Sequence, residues 1–257
     1  MLGPMIPHLT NDLVIDVGNT RMKWALFSGE RIIATGSASH GDLTVVEKVL
    51  SGTPPARIAF GSVAAPDPAF MDALQRLAPV TEIRGGSPSP VRSLYSAMET
   101  LGVDRLANVT GAALIFPRRA VLAIDLGTCA TFDLVDELAV HRGGIISPGM
   151  HMRAQAMHAY SARLPEVDPP EDPMIPGTDT ATSLAAGIYH GLLFEVQGQI
   201  AFFRQRHPGL AVVITGGDAP RFVGALKSGI FAHPTLTLIG LHALLHYHPY
   251  RGPAVAP

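Results

Sequence analysis

The sequence predicts an α/β fold made of two related halves, in which mixed β-sheets are flanked by helices. The first observation is a repeat, since the segment Val14–Thr20 is echoed by Ala123–Thr128, with its aspartate 109 positions later. In each copy an apolar run ends in Asp, one apolar residue, Gly and then hydroxyl or amide side chains. The second observation is that short strand-like runs surround each copy and longer helical patterns follow.

The repeated Asp-x-Gly segment is typical of a turn that binds phosphate. Glycine lets backbone N–H groups approach an anion, and Thr or Asn adds side-chain donors. A carboxylate beside such a turn would repel phosphate unless a cation lay between them. Asp16 and Asp125 therefore predict a nucleotide held between two related halves, with metal ions balancing the acids.

The first half is predicted over residues 12–118. Apolar runs around the first turn predict an antiparallel meander, and later runs predict helices, strands and a loop rich in Gly, Ser and Pro. The predicted strands are Leu13–Val17, Trp24–Phe27, Arg31–Thr35, Arg57–Val63 and Val80–Ile83. The predicted helices are Asp42–Leu50, Pro66–Leu77 and Arg105–Phe116, with the loop at Gly85–Pro90.

The second half is predicted over residues 119–250, where the pattern restarts. The predicted strands are Ala120–Ile124, Ala130–Val135, Ala139–Ile145 and Leu210–Thr215. The predicted helices are Gly149–Tyr160 and Thr182–Gln205, and Leu236–Ile239 and a terminal helix through His246 complete this half. Pro165–Pro176 contains five prolines and is expected to be an irregular loop.

Composition excludes several classes of protein. Of the 257 residues, 47% are hydrophobic and 16% are charged, as in a globular chain with a buried core. A net charge of −2 and the lack of a basic cluster argue against nucleic acid as a partner. The single cysteine, Cys129, excludes an intramolecular disulfide and is expected to be a small buried apolar residue. No signal peptide or membrane-spanning run is found, so a soluble, cytoplasmic protein is expected.

Five motifs follow one another along the chain. They are Asp16–Lys23, Gly102–Arg105, Asp125–Asp133, Gly143–Gly149 and Thr215–Ala219. In this order they resemble motifs of the type III pantothenate kinases. In that family the first and third motifs bind phosphate, the second binds pantothenate and the fifth binds adenosine. The similarity spans nearly the whole chain from Leu13 onward.

The resemblance implies a fold and an activity. The fold is the duplicated actin-like ATPase (ribonuclease H-like) domain that actin and sugar kinases share. The activity is phosphoryl transfer from ATP to the primary hydroxyl of pantothenate, which opens coenzyme A synthesis. Members of the family work as homodimers and need Mg²⁺ with ATP and a monovalent cation, K⁺ or NH₄⁺.

The resemblance also implies an ATP site. Asp16 would act on the phosphates through Mg²⁺ or its waters, although an Asp that caps its own turn is the alternative. Lys23 would supply a positive charge to the phosphates, or it is an exposed hairpin lysine. Asp125 would bind the monovalent cation. The predicted ATP-binding residues are Asp16, Gly18, Asn19, Thr20, Lys23, Thr128, Gly216 and Gly217. For Gly216 and Gly217, the alternative is that they form only a tight turn from a strand to a helix.

The pantothenate motif supplies the predicted substrate site. Asp104 would accept the proton of the pantothenate hydroxyl or orient it, with an ordinary helix N-cap as the alternative. Arg105 would bind the substrate carboxylate through its planar fork, with a surface ion pair as the alternative. Gly102 and Val103 complete this segment.

Two further residues match substrate contacts of the family. Tyr95 matches a tyrosine that contacts the substrate, although Ser93-Leu94 stands where the family usually has Asn-Pro. Thr180 matches a threonine that reaches the substrate from the partner subunit, and helix N-capping is its alternative.

Two other functions fit the same fold. One is a non-catalytic nucleotide-binding regulator, against which the intact set of acids argues. The other is a small sugar or acetate kinase, whose chains are generally longer and whose substrate motifs are not found here. His242, His246 and His248 lie near the end of the chain without a neighbouring carboxylate cluster, so no metal site is expected there.

Overall fold

The computed structural model describes residues 11–50, 54–226 and 229–247, which form two compact units. Of the described residues, the first unit contains 11–50, 54–89, 99–107 and 237–247, and the second contains 90–98, 108–226 and 229–236. The units therefore interleave along the chain, whereas the predicted halves are consecutive segments that meet at residue 118. That division remains a prediction about the duplication.

The described residues form strands and helices in the following chain order. The strands are β1 Asn11–Val17, β2 Met22–Ser28, β3 Arg31–Ala38, β4 Arg57–Ser62, β5 Val80–Ile83, β6 Arg92–Ser93, β7 Val121–Leu126, β8 Cys129–Val135, β9 Val140–Pro148, β10 Ala211–Thr215 and β11 Phe231–Ala232. The helices are α1 Thr44–Leu50, α2 Pro68–Leu77, α3 Val103–Ile115, α4 Met150–Ala159, α5 Thr180–Arg206, α6 Ala219–Val223 and α7 Leu236–His246, with a short 3₁₀ helix at Met98–Thr100.

The first unit is built on a mixed sheet in the order β3-β2-β1-β4-β5. Strands β1, β2 and β3 form the predicted antiparallel meander, and β4 and β5 run parallel to β1. Because side chains alternate along a strand, Leu13 and Ile15 face one side of the sheet, where they pack with apolar residues of α1 and α2. Asp12 and Asp16 face the other side.

That other side of the first sheet is covered by α7 and by the start of α3. A Cβ at Gly61 would lie 3.0 Å from Leu241 Cδ2 and 3.3 Å from Val103 Cγ2. At Gly240 a Cβ would overlap the backbone oxygen of Ala107. The two helices thus approach each other backbone to backbone, and the glycines make this close approach possible.

The second unit repeats the plan around a sheet in the order β11-β10-β7-β8-β9-β6. Strands β7, β8 and β9 form the second antiparallel meander, and β10 runs parallel to β7 as β4 does to β1. Ile124 and Phe132 of this sheet belong to one apolar core with Tyr189 of α5 and Phe222 of α6. The predicted α/β class with mixed sheets flanked by helices is confirmed.

Most differences from the predicted elements lie at their ends. Helix α3 begins at Val103, two residues before the prediction, and α5 begins at Thr180. Leu236–Ile239 forms the first turns of α7. The two-residue strands β6 and β11 and the five-residue α6 are too short for a periodic signal. Residues 248–250 of the predicted second half, with His248, lie outside the described residues. Among the described helices, none combines the length and the apolar character needed to cross a bilayer.

Candidate functional site

Asp16 lies at the end of β1 in the first unit and is only 7% exposed. Its neighbours across the sheet are Lys23 in β2 and Gly61 in β4. In the turn that follows, the backbone N–H of Gly18 donates to the carbonyl of Arg21 over 3.2 Å. This N–H therefore closes the turn. A buried carboxylate at a strand end is a suitable oxygen ligand for a divalent cation.

Residues with hydrogen-bond donor groups follow Asp16 along the chain. Asn19 and Thr20 form the exposed tip of the turn. Lys23 is half-buried and directly opposite Asp16 in the antiparallel pair. Residues paired in this way point to the same face of the sheet, so an exposed hairpin lysine does not describe Lys23.

The first turn of α3 carries Asp104. The helix begins at Val103, and its first backbone bond runs from Leu106 N to Gly102 O over 3.1 Å. Asp104 is thus inside the helix, so the N-cap alternative is wrong. A Cβ at Gly102 would overlap the Asp104 carboxylate, which folds back toward the helix N-terminus. Helix N-termini interact favourably with negative charge, which suits a carboxylate at this position.

Arg105 follows in the same turn and is 4% exposed. The alternative of a surface ion pair is therefore wrong. A cavity of about 480 Å³ in the first unit is lined by Gly102 and Val103, together with residues 60 and 62–66, 82–85 and 99–101. Asp16, Asp104 and Arg105 do not line this cavity.

In the second unit, Asp125 lies at the end of β7. Asn108 donates from Nδ2 to its Oδ2 over 3.0 Å. The neighbour of Asp125 in the parallel strand β10 is Thr215. The Thr215 hydroxyl is buried and has no hydrogen-bond partner within the described part of the chain. A carboxylate beside such a hydroxyl offers oxygen ligands that fit a cation.

Three of the sequence motifs meet beside Asp125. Gly216 has φ +102°, and a Cβ there would overlap the backbone of Leu126. The backbone N–H of Asp218 donates to Leu126 O over 2.9 Å, and that of Gly149 donates to Thr128 O over 3.0 Å. The second Asp-x-Gly turn is therefore packed against the two glycine segments at the carboxyl ends of β7 and β10.

The surface of this junction is open at two of the predicted ATP residues. Thr128 is exposed, and nothing lies within 4 Å of the Cβ position of Gly217. Next to it, burial raises the pKa of the Asp218 carboxyl. Gly216-Gly217 also forms the turn from β10 to α6. This geometry fits both a tight turn and a contact with adenosine. Cys129, at the start of β8, is half-buried rather than buried.

Tyr95 is held by a chain of polar groups in which Ser93 is half-buried and His141 and Asp133 are buried. The Tyr95 backbone N–H donates to Ser93 Oγ over 3.1 Å, and Ser93 Oγ lies 2.9 Å from His141 Nδ1. His141 Nε2 in turn donates to Asp133 Oδ1 over 2.9 Å, because a carboxylate can only accept. The Tyr95 and His141 rings lie 6.4 Å apart and 7° from parallel. Sequence reasoning missed Asp133 and His141, and the unusual Ser93 was the only sign of them.

Thr180 is the exposed first residue of α5. The N-cap of this helix is Asp179, whose carboxylate accepts from Thr182 N over 2.8 Å in a capping box. The N-cap alternative for Thr180 is therefore wrong. Its side chain remains available at the surface of the second unit.

Each unit thus gathers part of the predicted site. The first unit carries Asp16, the turn residues, Lys23 and the Gly102–Arg105 segment. The second unit carries Asp125, Thr128 and the Gly216-Gly217 junction, with Tyr95 and Thr180 elsewhere in the same unit.

Solved structures share the fold of this chain. A protein from Campylobacter jejuni assigned to the Baf family of transcriptional activators matches 91% of this chain and 96% of its own, with a TM-score of 0.56 and 17% identity. Component A of the (R)-2-hydroxyglutaryl-CoA dehydratase from Acidaminococcus fermentans matches 92% and 98%, with a TM-score of 0.51 and 18% identity. Identities this low establish similarity of fold alone.

Closer relatives identify the family. The family model for type III pantothenate kinase matches residues 12–201. A type III pantothenate kinase from Bacteroides fragilis is 38% identical over 241 residues, which cover 93% of this chain and 99% of the relative. Another from Flavobacterium psychrophilum is 36% identical over 237 residues, covering 91% and 98%. The chain belongs to the type III pantothenate kinase family.

Proposed function

We propose that this protein transfers the γ-phosphoryl group of ATP to the primary hydroxyl of pantothenate. The product is 4′-phosphopantothenate, and the reaction is the first step of coenzyme A biosynthesis. The observation that carries the proposal is the placement of two acids in the first unit. Asp16 is paired with Gly61, and Gly61 faces Val103 at the start of α3, next to Asp104. Asp16 and the helix start that carries Asp104 thus lie on the same face of the first sheet.

The phosphates of ATP are assigned to the two Asp-x-Gly turns. Asn19, Thr20 and Lys23 offer donors in the first unit, and Thr128 offers its exposed hydroxyl in the second. Magnesium bound with ATP neutralises charge on the phosphates, and Asp16 would hold it directly or through water. The backbone at Gly216 and the open space at the Cβ position of Gly217 are assigned to adenosine.

A monovalent cation is assigned to Asp125. The half-buried carboxylate is oriented by Asn108, and the unpartnered hydroxyl of Thr215 lies on the neighbouring strand. Oxygen ligands of this kind suit K⁺ or NH₄⁺.

Pantothenate is assigned to the start of α3. Asp104 would orient the hydroxyl and accept its proton, and Arg105 would bind the carboxylate bidentately. Gly102, Val103 and Tyr95 would contact the rest of the substrate. Thr180 is assigned to a substrate bound by a second protomer, in a homodimer that works in the cytoplasm.

Coupled measurement of ADP release tests the proposal. We expect release to depend on pantothenate and to be faster in potassium than in sodium, with 4′-phosphopantothenate detected by mass spectrometry. Glucose and acetate serve as control acceptors. Absence of pantothenate-dependent turnover in both salts would refute the function, and calorimetry that detects ATP binding without pantothenate binding would favour the regulator.

The polar chain behind Tyr95 gives a second prediction. Ser93→Ala removes the oxygen that links the Tyr95 backbone to His141. Loss of one such bond costs about 1 kcal/mol, so we expect KM for pantothenate to rise roughly fivefold while KM for ATP is unchanged. Steady-state kinetics with each substrate varied gives both values. Ser39→Ala, at an exposed serine between β3 and α1, is the matched control. Equal changes in both KM values would contradict a role in placing Tyr95.

A further inference from the structure

Three potential metal ligands meet in the first unit at the opposite end of β1 from Asp16. Asp12 is the second residue of β1, and His242 and His246 are four apart on α7. One ligand atom from each side chain lies within 4.8 Å of the other two. We call these residues the Asp12–His242–His246 cluster. The fold supplies the carboxylate that the sequence alone did not place beside these histidines.

The distances within the cluster suit a small divalent cation. Asp12 Oδ2 lies 3.2 Å from His242 Nε2 and 2.6 Å from His246 Nε2. Zinc binds nitrogen and oxygen at about 2.0–2.2 Å, so neighbouring ligand atoms in a tetrahedral site are roughly 3.3 Å apart. The ligand atoms of His242 and His246 lie within 4.8 Å of each other. Side-chain shifts of roughly 1.5 Å or less would therefore convert the hydrogen-bonded cluster into three ligands of such a site.

The surroundings hold the ligands in place. The His242 ring is buried and stacks on Phe27, with ring centres 3.9 Å apart and planes 4° from parallel. Asp12 Oδ1 accepts from Arg57 Nε over 3.2 Å. An outer partner on the second carboxylate oxygen is typical of metal sites in proteins. The His246 side chain is partly exposed, which gives a cation and a water access from solvent.

Arg57 also opposes a cation at this place. Its Nη2 lies 3.2 Å from Asp12 Oδ2 and 3.3 Å from His246 Nε2. A metal ion must displace this end of the guanidinium, and the Arg57 side chain is 36% exposed, so it can move toward solvent. The positive charge nearby lowers the affinity relative to a site without it.

We propose that Asp12, His242 and His246 bind Zn²⁺, with water as the fourth ligand. Imidazole ligands favour zinc over magnesium, which prefers an all-oxygen shell. Asp12 and Asp16 are four residues apart on β1, which corresponds to roughly 13 Å, so the cluster is separate from the ATP site proposed at Asp16. The ion ties the last turn of α7 to the first residues of β1.

Calorimetry on the full chain tests the site. The protein is freed of metal and of any affinity tag, and zinc is added with magnesium in excess. We expect one zinc ion per chain with Kd of about 1 μM or below, and a raised Tm. Cobalt added in place of zinc should give the visible absorption of a tetrahedral complex. Absence of stoichiometric zinc binding, or an octahedral cobalt spectrum, would overturn the proposal.

Variants locate the ion. His246→Gln is expected to weaken zinc binding at least tenfold, whereas His40→Gln, at an exposed histidine of the same unit, should leave it unchanged. Arg57→Gln removes the competing charge and is expected to tighten binding at least threefold. Zinc affinity that is equal in the wild type and His246→Gln, or weaker in Arg57→Gln, would place the ion elsewhere. These results do not depend on kinase activity.

Discussion

Asp104→Asn is expected to lower kcat by about 100-fold or more while ATP binding is largely unchanged. The substitution keeps the shape of the side chain but removes the charge that would accept the proton of the pantothenate hydroxyl. Asp104 lies in the first turn of α3 over Gly102, so an amide can occupy the same place. The coupled assay gives kcat, and calorimetry gives the affinity for ATP.

Asp72→Asn is the matched control for this variant. Asp72 is exposed on α2, in the same unit but on the opposite side of the sheet from α3. Its replacement should leave kcat within about twofold. If Asp104→Asn turned over pantothenate at a near-normal rate, Asp104 would have no part in the transfer.

Gly240→Ala is expected to destabilise the first unit by roughly 3 kcal/mol or more. On an isolated helix the same change would stabilise by about 1 kcal/mol, because alanine has the higher helix propensity. At this position the added methyl would overlap the backbone oxygen of Ala107, which cannot rotate away as a side chain can. Urea unfolding, followed by circular dichroism, gives the change in the free energy of unfolding.

Gly198→Ala is the control that separates the effect of helix propensity from the effect of the backbone contact at Gly240. Gly198 is exposed in the middle of α5, and nothing lies within 4 Å of its Cβ position. This variant should be more stable than the wild type by about 0.5–1 kcal/mol. Equal stabilisation by both alanines would show that α7 and α3 are not in backbone contact.

The parts of the fold that sequence predicted are those with local signals. The two meanders were predicted because apolar runs and turn residues alternate over a few positions around each Asp-x-Gly segment. The start of α5 was placed two residues late because Asp179, not Thr180, fills the cap, and this choice depends on the side chain of Thr182. The start of α3 was missed for a similar reason, since Gly102 offers no side-chain cap to recognise.

The candidate site likewise contains residues that local motifs predicted and residues that they did not. Asp16, Asp104 and Asp125 follow from short motifs, because each motif is a turn or helix start with its own chemistry. The pairing of Asp12 with His246 joins residues 234 apart, and that of Ser93 with His141 joins residues 48 apart. Such pairs are created by the strand order and by the packing of α7, and no local pattern contains that information.

The interleaving of the two units sets an order for their completion during synthesis. All described segments of the second unit have been translated once residue 236 is added. The first unit is begun earlier, yet its sheet lacks the cover of α7, with Gly240 and Leu241, until the following residues are made. At about 5–20 residues per second, translation of residues 90–236 takes roughly 7 to 30 seconds. The unit whose synthesis begins first is therefore the last to be finished, and the face of its sheet beneath α7 stays uncovered by that helix for that time.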